Sequence, residues 1–264
     1  MEKVVVITGG TSGIGLETGR ALADQGCVVY ELSRRESGVD PRIHHVQADM
    51  TKEDQVQDAV HQIVQLEGRI DVLINNAGYG ISGAVEFTDT EDAQRQFDVN
   101  FFGMVRMNKA VIPVMRNQGG GRIISMSSVA APIAIPFQTY YSASKAAIRT
   151  YMLALAPEVS PFGIETCTIM PGDIHTGFTA ARKKSPEGDD IYNGRISRSV
   201  AVMEHDELHG ITAESAGSFV ARKALQRRVP LLCTLGGKYK FFVFLTRLVP
   251  TRFMTWIVGR IYAK

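Results

Sequence analysis

Residues 4–15 read Val4-Val5-Val6-Ile7-Thr8-Gly9-Gly10-Thr11-Ser12-Gly13-Ile14-Gly15. Val4 to Thr8 form a β-branched run that suits a short buried strand. A glycine-rich turn follows, and residues 15–25 then carry a helical pattern with Leu16 and Ala23 on the inner face. A turn of small residues between a strand and a helix lets the backbone approach a pyrophosphate closely. The helix then aims its unpaired amides at the anion. Gly9, Thr11, Ser12, Gly13, Ile14 and Gly15 are therefore the first candidate ligand contacts. The spacing differs from G-x-G-x-x-G, and no Lys stands where a phosphate-binding loop of the Walker type needs one.

Working outward, further strands are expected at 27–32, 43–46, 72–75, 122–126 and 164–170. Helices are expected at 53–66, 90–116 and 139–158. The first of these places Val56, Ala59, Val60 and Ile63 on one face. Strands that are almost continuously apolar suit a parallel sheet covered on both sides. Strand–helix alternation with right-handed crossovers gives a doubly wound, Rossmann-type α/β fold with helices on both faces. One domain over 1–264 is expected. Residues 177–210 lose the pattern to charges, Gly and Pro, as in Lys183-Lys184-Ser185-Pro186-Glu187-Gly188. They read as a long excursion on the substrate side, not a linker.

The second strand ends Leu32-Ser33-Arg34-Arg35. Dinucleotide sites usually place an acid here to accept from the ribose hydroxyls. Ser33 replaces it and Arg34 follows, so a guanidinium can fork onto a phosphate with no carboxylate opposing it. NADP(H) is the expected cofactor and NAD(H) the alternative; two solvated arginines in a loop are the competing reading. Glu31 should alternate away from the loop tip.

Tyr141-Ser142-Ala143-Ser144-Lys145 sets a tyrosine and a lysine four apart on one helical face. Ser127-Ser128 follows the 122–126 strand, and Asn100 lies within the helical stretch before it. With the Thr8–Gly15 loop, Asn75-Asn76-Ala77-Gly78 and Pro171-Gly172-Asp173-Ile174-His175-Thr176, these motifs run in order across residues 4–176. In this the chain resembles the classical short-chain dehydrogenases/reductases, with 17β-hydroxysteroid and retinol dehydrogenases the most similar in appearance. The resemblance implies that Tyr141 is the acid/base, Ser128 polarises the substrate carbonyl, Lys145 binds the nicotinamide ribose and Asn100 holds a relay water. It also implies cofactor contacts at Asp49, Met50, Asn75, Asn76, Ala77, Gly78, Pro171, Gly172, Ile174 and Thr176, and a homodimer or homotetramer. A phenol ionises near pH 10, and the Lys145 ammonium together with the nicotinamide cation should favour phenolate. Tyr140, five residues from Lys145, should point elsewhere.

The pocket is expected to draw on Tyr79, Ile81, Ile133, Ile135, Phe137 and Phe178. It should take a lipophilic substrate such as a hydroxysteroid, with a retinoid or a fatty ketone or aldehyde as alternatives. A catalytically idle, nucleotide-sensing scaffold on the same fold is the reading from another class, and the intact Ser128, Tyr141, Lys145 and Asn100 set argues against it.

The 264 residues are 45% hydrophobic, ample for a core, with a formal charge of +2. That charge averages a split. Residues 1–214 hold 27 acidic and 19 basic side chains, whereas 215–264 hold 10 basic and none acidic. An acidic bulk makes nucleic acid an unsuitable partner. Cys27, Cys167 and Cys233 are far apart in sequence and read as buried reduced thiols. His205-Asp206-Glu207-Leu208-His209 lacks the order and downstream ligand of a zinc motif, so no metal is expected. The opening apolar run is too short for a signal peptide. The longest uninterrupted apolar run in the tail is residues 241–245, far short of a bilayer span, so a cytoplasmic protein is expected. In the tail, 238–264, Thr251 is expected to cap a last helix with Met254, Ile257, Val258 and Ile261 on one face, and Arg252, Arg260 and Lys264 on another. This helix could close the pocket, contact a second subunit, or lie on an anionic membrane surface.

Overall fold

A computed structural model describes residues 2–263. Its main sheet comprises β1 (Val4–Thr8), β2 (Val28–Ser33), β3 (His44–Gln47), β4 (Val72–Asn75), β5 (Gly121–Met126), β6 (Ile164–Pro171) and β7 (Leu232–Leu235). The order is β7-β6-β5-β4-β1-β2-β3, and every neighbouring pair is parallel. The expected doubly wound sheet is present. The helices are α1 (Gly13–Ala23), α2 (Glu53–Glu67), α3 (Thr90–Phe97), α4 (Gly103–Asn117), α5 (Thr139–Val159), α6 (Phe178–Ala181), α7 (Arg195–Leu208), α8 (Ala213–Leu225), α9 (Gly237–Leu245) and α10 (Thr251–Tyr262).

Strand alternation builds two cores. Val4 and Val6 of β1 face one side, with Ile63 of α2, Met107 and Val111 of α4 and Met152 of α5. Val5 and Ile7 face the other, with Leu22 of α1 and Val220 of α8. The strand order reverses between β1 and β4, which opens a crevice at their carboxyl ends.

Several expectations are corrected. The stretch 90–116 is not one helix: a π-type turn, Asp98–Phe102, separates α3 from α4. β7 is a seventh core strand without a counterpart in the sequence reading. Pairing with β6 buries Cys233 and Leu235. Cys167 and Cys233 meet across β6 and β7, with their Sγ atoms 3.7 Å apart and both thiols free. The excursion is ordered. It contains α6, α7 and the two-residue strand Lys183–Lys184, which pairs with Ile81–Ser82, and it is flanked by Ile174–His175, which pairs with Ile211–Thr212. At the last helix Pro250 holds the cap position and Thr251 opens the first turn without a side-chain cap. Lys264 lies outside the described residues.

Candidate active site

The crevice at the β1/β4 switch is a cleft of about 1410 Å³. Its floor is the Thr8–Gly15 turn. Gly9 takes a φ of +68°, a conformation that favours glycine. Gly15 must be glycine for a packing reason: a Cβ there would stand 2.4 Å from the Gly9 carbonyl oxygen and 2.5 Å from Asn76 Nδ2. Gly15 is buried, and only its backbone amide, in the first turn of α1, is offered to a ligand. Gly9, Thr11, Ser12, Gly13 and Ile14 line the cleft. Ser12, at the cap position of α1, makes no side-chain cap bond, so the first amides of the helix remain available to an anion.

The Asn75–Gly78 segment is laced to β1. Thr8 Oγ1 accepts from the amides of Asn76 (3.0 Å) and Ala77 (3.1 Å). Asn76 Nδ2 donates to the carbonyls of Thr8 (3.1 Å) and Gly9 (3.0 Å). Asn76, Ala77 and Gly78 line the cleft. Asn75 does not. As the last residue of β4 its side chain points to the α4 side, donating to Asn108 Oδ1 (2.9 Å) and Ser125 Oγ (3.2 Å). The expectation that Asn75 lines the ribose side is thereby corrected.

At one end of the cleft stand Ser33, Arg34, Asp49 and Met50, joined by Arg35. Ser33 Oγ is buried without a protein partner, and both arginines are exposed. Glu31 does not line the cleft. It is buried against Gly10 and paired with His45. An orphaned hydroxyl, two guanidiniums and open helix amides fit a phosphorylated dinucleotide. Pro171, Gly172, Ile174 and Thr176 line the opposite wall.

Ser128, Tyr141 and Lys145 line the middle of the cleft. Lys145 Nζ donates to the Met126 carbonyl at 2.9 Å and lies 5.6 Å from the centre of the Tyr141 ring. Burial pushes the Tyr141 phenol up to about 12, with a hydrogen bond from Ser128 opposing it, and burial pushes the Lys145 ammonium down to about 8. Ser127 Oγ is committed to the Lys145 carbonyl at 2.7 Å, whereas Ser128 Oγ accepts from the Ala130 amide at 3.1 Å and stays at the cleft. Tyr140 points away, its hydroxyl 3.4 Å from the Val85 carbonyl.

Asn100 sits in the π-type turn, behind the cleft wall. Its Oδ1 accepts from the Tyr79 amide (2.9 Å), and its Nδ2 donates to the Tyr79 carbonyl (3.0 Å) and Ser144 Oγ (3.2 Å). A Cβ on Gly78 would lie 3.0 Å from Asn100 Oδ1 and 3.5 Å from Lys145 Nζ, so both atoms face the same gap beside Gly78.

At the substrate end Tyr79, Ile135 and Phe178 line the cleft, with the Phe178 ring 5.7 Å from that of Tyr141. Ile81, Ile133 and Phe137 do not. Phe137 is instead part of a small core with Ala84 and Ile196, and Ile81 is buried in its two-stranded pair. Sequence reasoning missed Asp173, Met203, Glu207 and Tyr262, which line the cleft along with Gln138, Ala181 and Lys183. Glu207 accepts from Thr179 Oγ1 (2.6 Å) and pairs with the buried Arg182. Burial raises the carboxyl pKa of both Glu207 and Asp173. His205 and His209 do not line the cleft, and Glu207, between them, does. Among the described residues no group of three His, Cys, Asp or Glu side chains could hold a metal ion.

Comparison with known proteins agrees with this geometry. The profile of the short chain dehydrogenase family matches residues 3–187. A 3-ketodihydrosphingosine reductase from Bacteroides thetaiotaomicron is 40% identical over 237 residues, covering 89% of this chain and 88% of that one. Dehydrogenase/reductase SDR family member 7B from Xenopus tropicalis is 32% identical over 275 residues, covering 98% and 85%. A crystal structure of a short-chain dehydrogenase from Streptomyces avermitilis superposes with a TM-score of 0.82 at 28% identity, covering 92% of this chain and 91% of that one.

Proposed function

This chain belongs to the short-chain dehydrogenase/reductase family, oxidoreductases that act on carbonyl and CH–OH groups with a nicotinamide cofactor, and from that premise we propose that it is an NADPH-preferring reductase of a long-chain lipid ketone. The observation that carries this reading is the convergence of Ser128, Tyr141 and Lys145 on a cleft that is basic at one end and part apolar, part acidic at the other.

When bound, the cofactor supplies the hydride that the carbonyl carbon accepts. Tyr141 gives its phenolic proton to the carbonyl oxygen. Ser128 donates a hydrogen bond to that oxygen as negative charge develops on it. Lys145 keeps two N–H donors beyond the one spent on Met126, and these are for the ribose hydroxyls. A water in the gap beside Gly78 would touch both Asn100 Oδ1 and Lys145 Nζ and could return a proton towards Tyr141. Ser33 and Arg34, with Arg35, would hold a 2′-phosphate, the basis of the NADPH preference.

Among the lipophilic substrates that the sequence admits, Asp173 and Glu207 favour a ketone with an amino or hydroxyl group beside the carbonyl. Each carboxylate has acceptor sites beyond its protein partners, and a steroid ketone or retinal without an amino or hydroxyl group next to its carbonyl gives them no donor there. The long-chain 2-amino-3-ketone named in the Bacteroides thetaiotaomicron relative has that chemistry. NADPH oxidation should be measured with such an aminoketone, a steroid ketone and retinal. The aminoketone is expected to give a kcat/KM at least about tenfold above the others. A higher value for the steroid or retinal would overturn the substrate, and no NADPH oxidation with any of the three would overturn the activity.

A further inference from the structure

None of the nine residues of α9 is buried, although it carries Phe241-Phe242-Val243-Phe244-Leu245. Phe241 and Phe244 are 62% and 54% exposed, and Leu248, just beyond, 65%. α10 packs on α7, and Met254 and Val258 are its buried residues. The sequence reading put Ile257 and Ile261 on that inner face, but Ile261 is exposed. On the opposite face Arg252, Trp256 and Arg260 follow at i, i+4 and i+8. Trp256 stacks on Phe253 at 5.9 Å, and Arg260 lies over its ring at 5.4 Å. Lys238, Lys240 and Arg247 are also exposed, and no acidic residue follows Glu214.

An uncovered run of phenylalanines next to exposed cations is the surface of an interfacial helix, not of a solvated one. A second copy of the chain is a poor occupant, because a two-fold contact would set one acid-free, basic tail against another. A nucleic acid would match the cations but leave Phe241, Phe244 and Leu248 without an apolar partner. We propose that the outer face of α9 and α10 docks on an anionic lipid bilayer, with Phe241, Phe244 and Trp256 at headgroup depth and the basic side chains on the lipid phosphates. The docking does not rest on the substrate proposed above.

Trp256 is the chain's single tryptophan, so its emission reports directly. The full-length protein is mixed with vesicles of phosphatidylglycerol and phosphatidylcholine, one to two, and with vesicles of phosphatidylcholine alone. At low salt it should float with the mixed vesicles and not with the neutral ones. Trp256 emission should shift to the blue and be quenched by chain-brominated lipid. Arg252→Gln with Arg260→Gln should lower the partition coefficient by about 25-fold, at about fivefold for each cation. NADPH oxidation with a water-soluble ketone should be unchanged, which shows that this variant is folded. Phe244→Ser should weaken flotation while keeping its salt dependence. Three results would overturn the proposal: no flotation with mixed vesicles, a blue shift that grows with protein concentration without lipid, or a shift given by duplex oligonucleotide and not by vesicles.

Discussion

Tyr141 and Lys145 are each displaced towards the uncharged form, and burial does it in both cases. A phenol held near 12 is fully protonated at neutral pH, the form a reductase needs to give a proton to a nascent alkoxide. Tyr141→Phe removes that proton and little else. It should keep NADPH affinity while turnover falls by about 10²–10⁴-fold, which fluorescence titration and steady-state rates would separate. Near-normal turnover would remove Tyr141 from the mechanism. Arg34 makes the complementary case at the other end of the cleft. A hydrogen bond to a charged group contributes about 1.5–3 kcal/mol, so Arg34→Ala should raise the Kd for NADPH by about ten- to a hundredfold and change that for NADH little. Equal losses for the two cofactors would show that the arginine does not read the 2′-phosphate.

Helices matter here for what they hold in place. α1 presents its N-terminus to the cleft, and α8 lies so close behind it that a Cβ on Gly217 would stand 2.5 Å from the Glu17 carbonyl carbon and 2.6 Å from the Thr18 amide nitrogen. Those atoms are backbone and cannot turn aside. Gly217→Ala should therefore destabilise the protein by about 1–3 kcal/mol, read from the urea midpoint, despite the better helix propensity of alanine. It should also weaken NADPH binding, because the strain is relieved by moving α1 and its amides. Unchanged stability would mean that α8 yields instead. The π-type turn at Asp98–Phe102 acts in a similar way on the other wall. The extra residue in the turn aims Asn100 at Tyr79 and Ser144. A 3.6-residue pattern runs through such a turn without showing it.

At the scale of the whole molecule, the cleft lies between parts of the chain that are distant in sequence, so a ligand there couples them. NADPH at a hundred times its Kd adds about 2.7 kcal/mol, which for a chain of this size is a rise in Tm of about 5–10 °C. A thermal melt should show this, with a smaller rise for NADH at the same concentration; equal shifts would mean that the cofactor preference is wrong. The split in charge follows the same division of labour. The acidic first 214 residues contain Ser128, Tyr141 and Lys145, and the basic end contributes Tyr262 to the cleft. Tyr262 stands on the helix that also carries Trp256.

By itself the sequence determined the alternation of buried strands and helices, the glycine turn, the basic end of β2 and the pairing of Tyr141 with Lys145. These are local matters of periodicity, turn chemistry and helical spacing, and each is complete within a few residues. Only the tertiary structure decided which neighbours of those residues face the cleft. Asn75 turns to Asn108 and Ser125, Phe137 joins a small core, and the Ser127 hydroxyl is tied to the Lys145 carbonyl while that of Ser128 is not. Only the fold brings Cys167 to Cys233, adds β7, and sets Glu207 and Tyr262 in the cleft with Phe178. Those outcomes depend on contacts between residues tens of positions apart, and no window of sequence contains both partners.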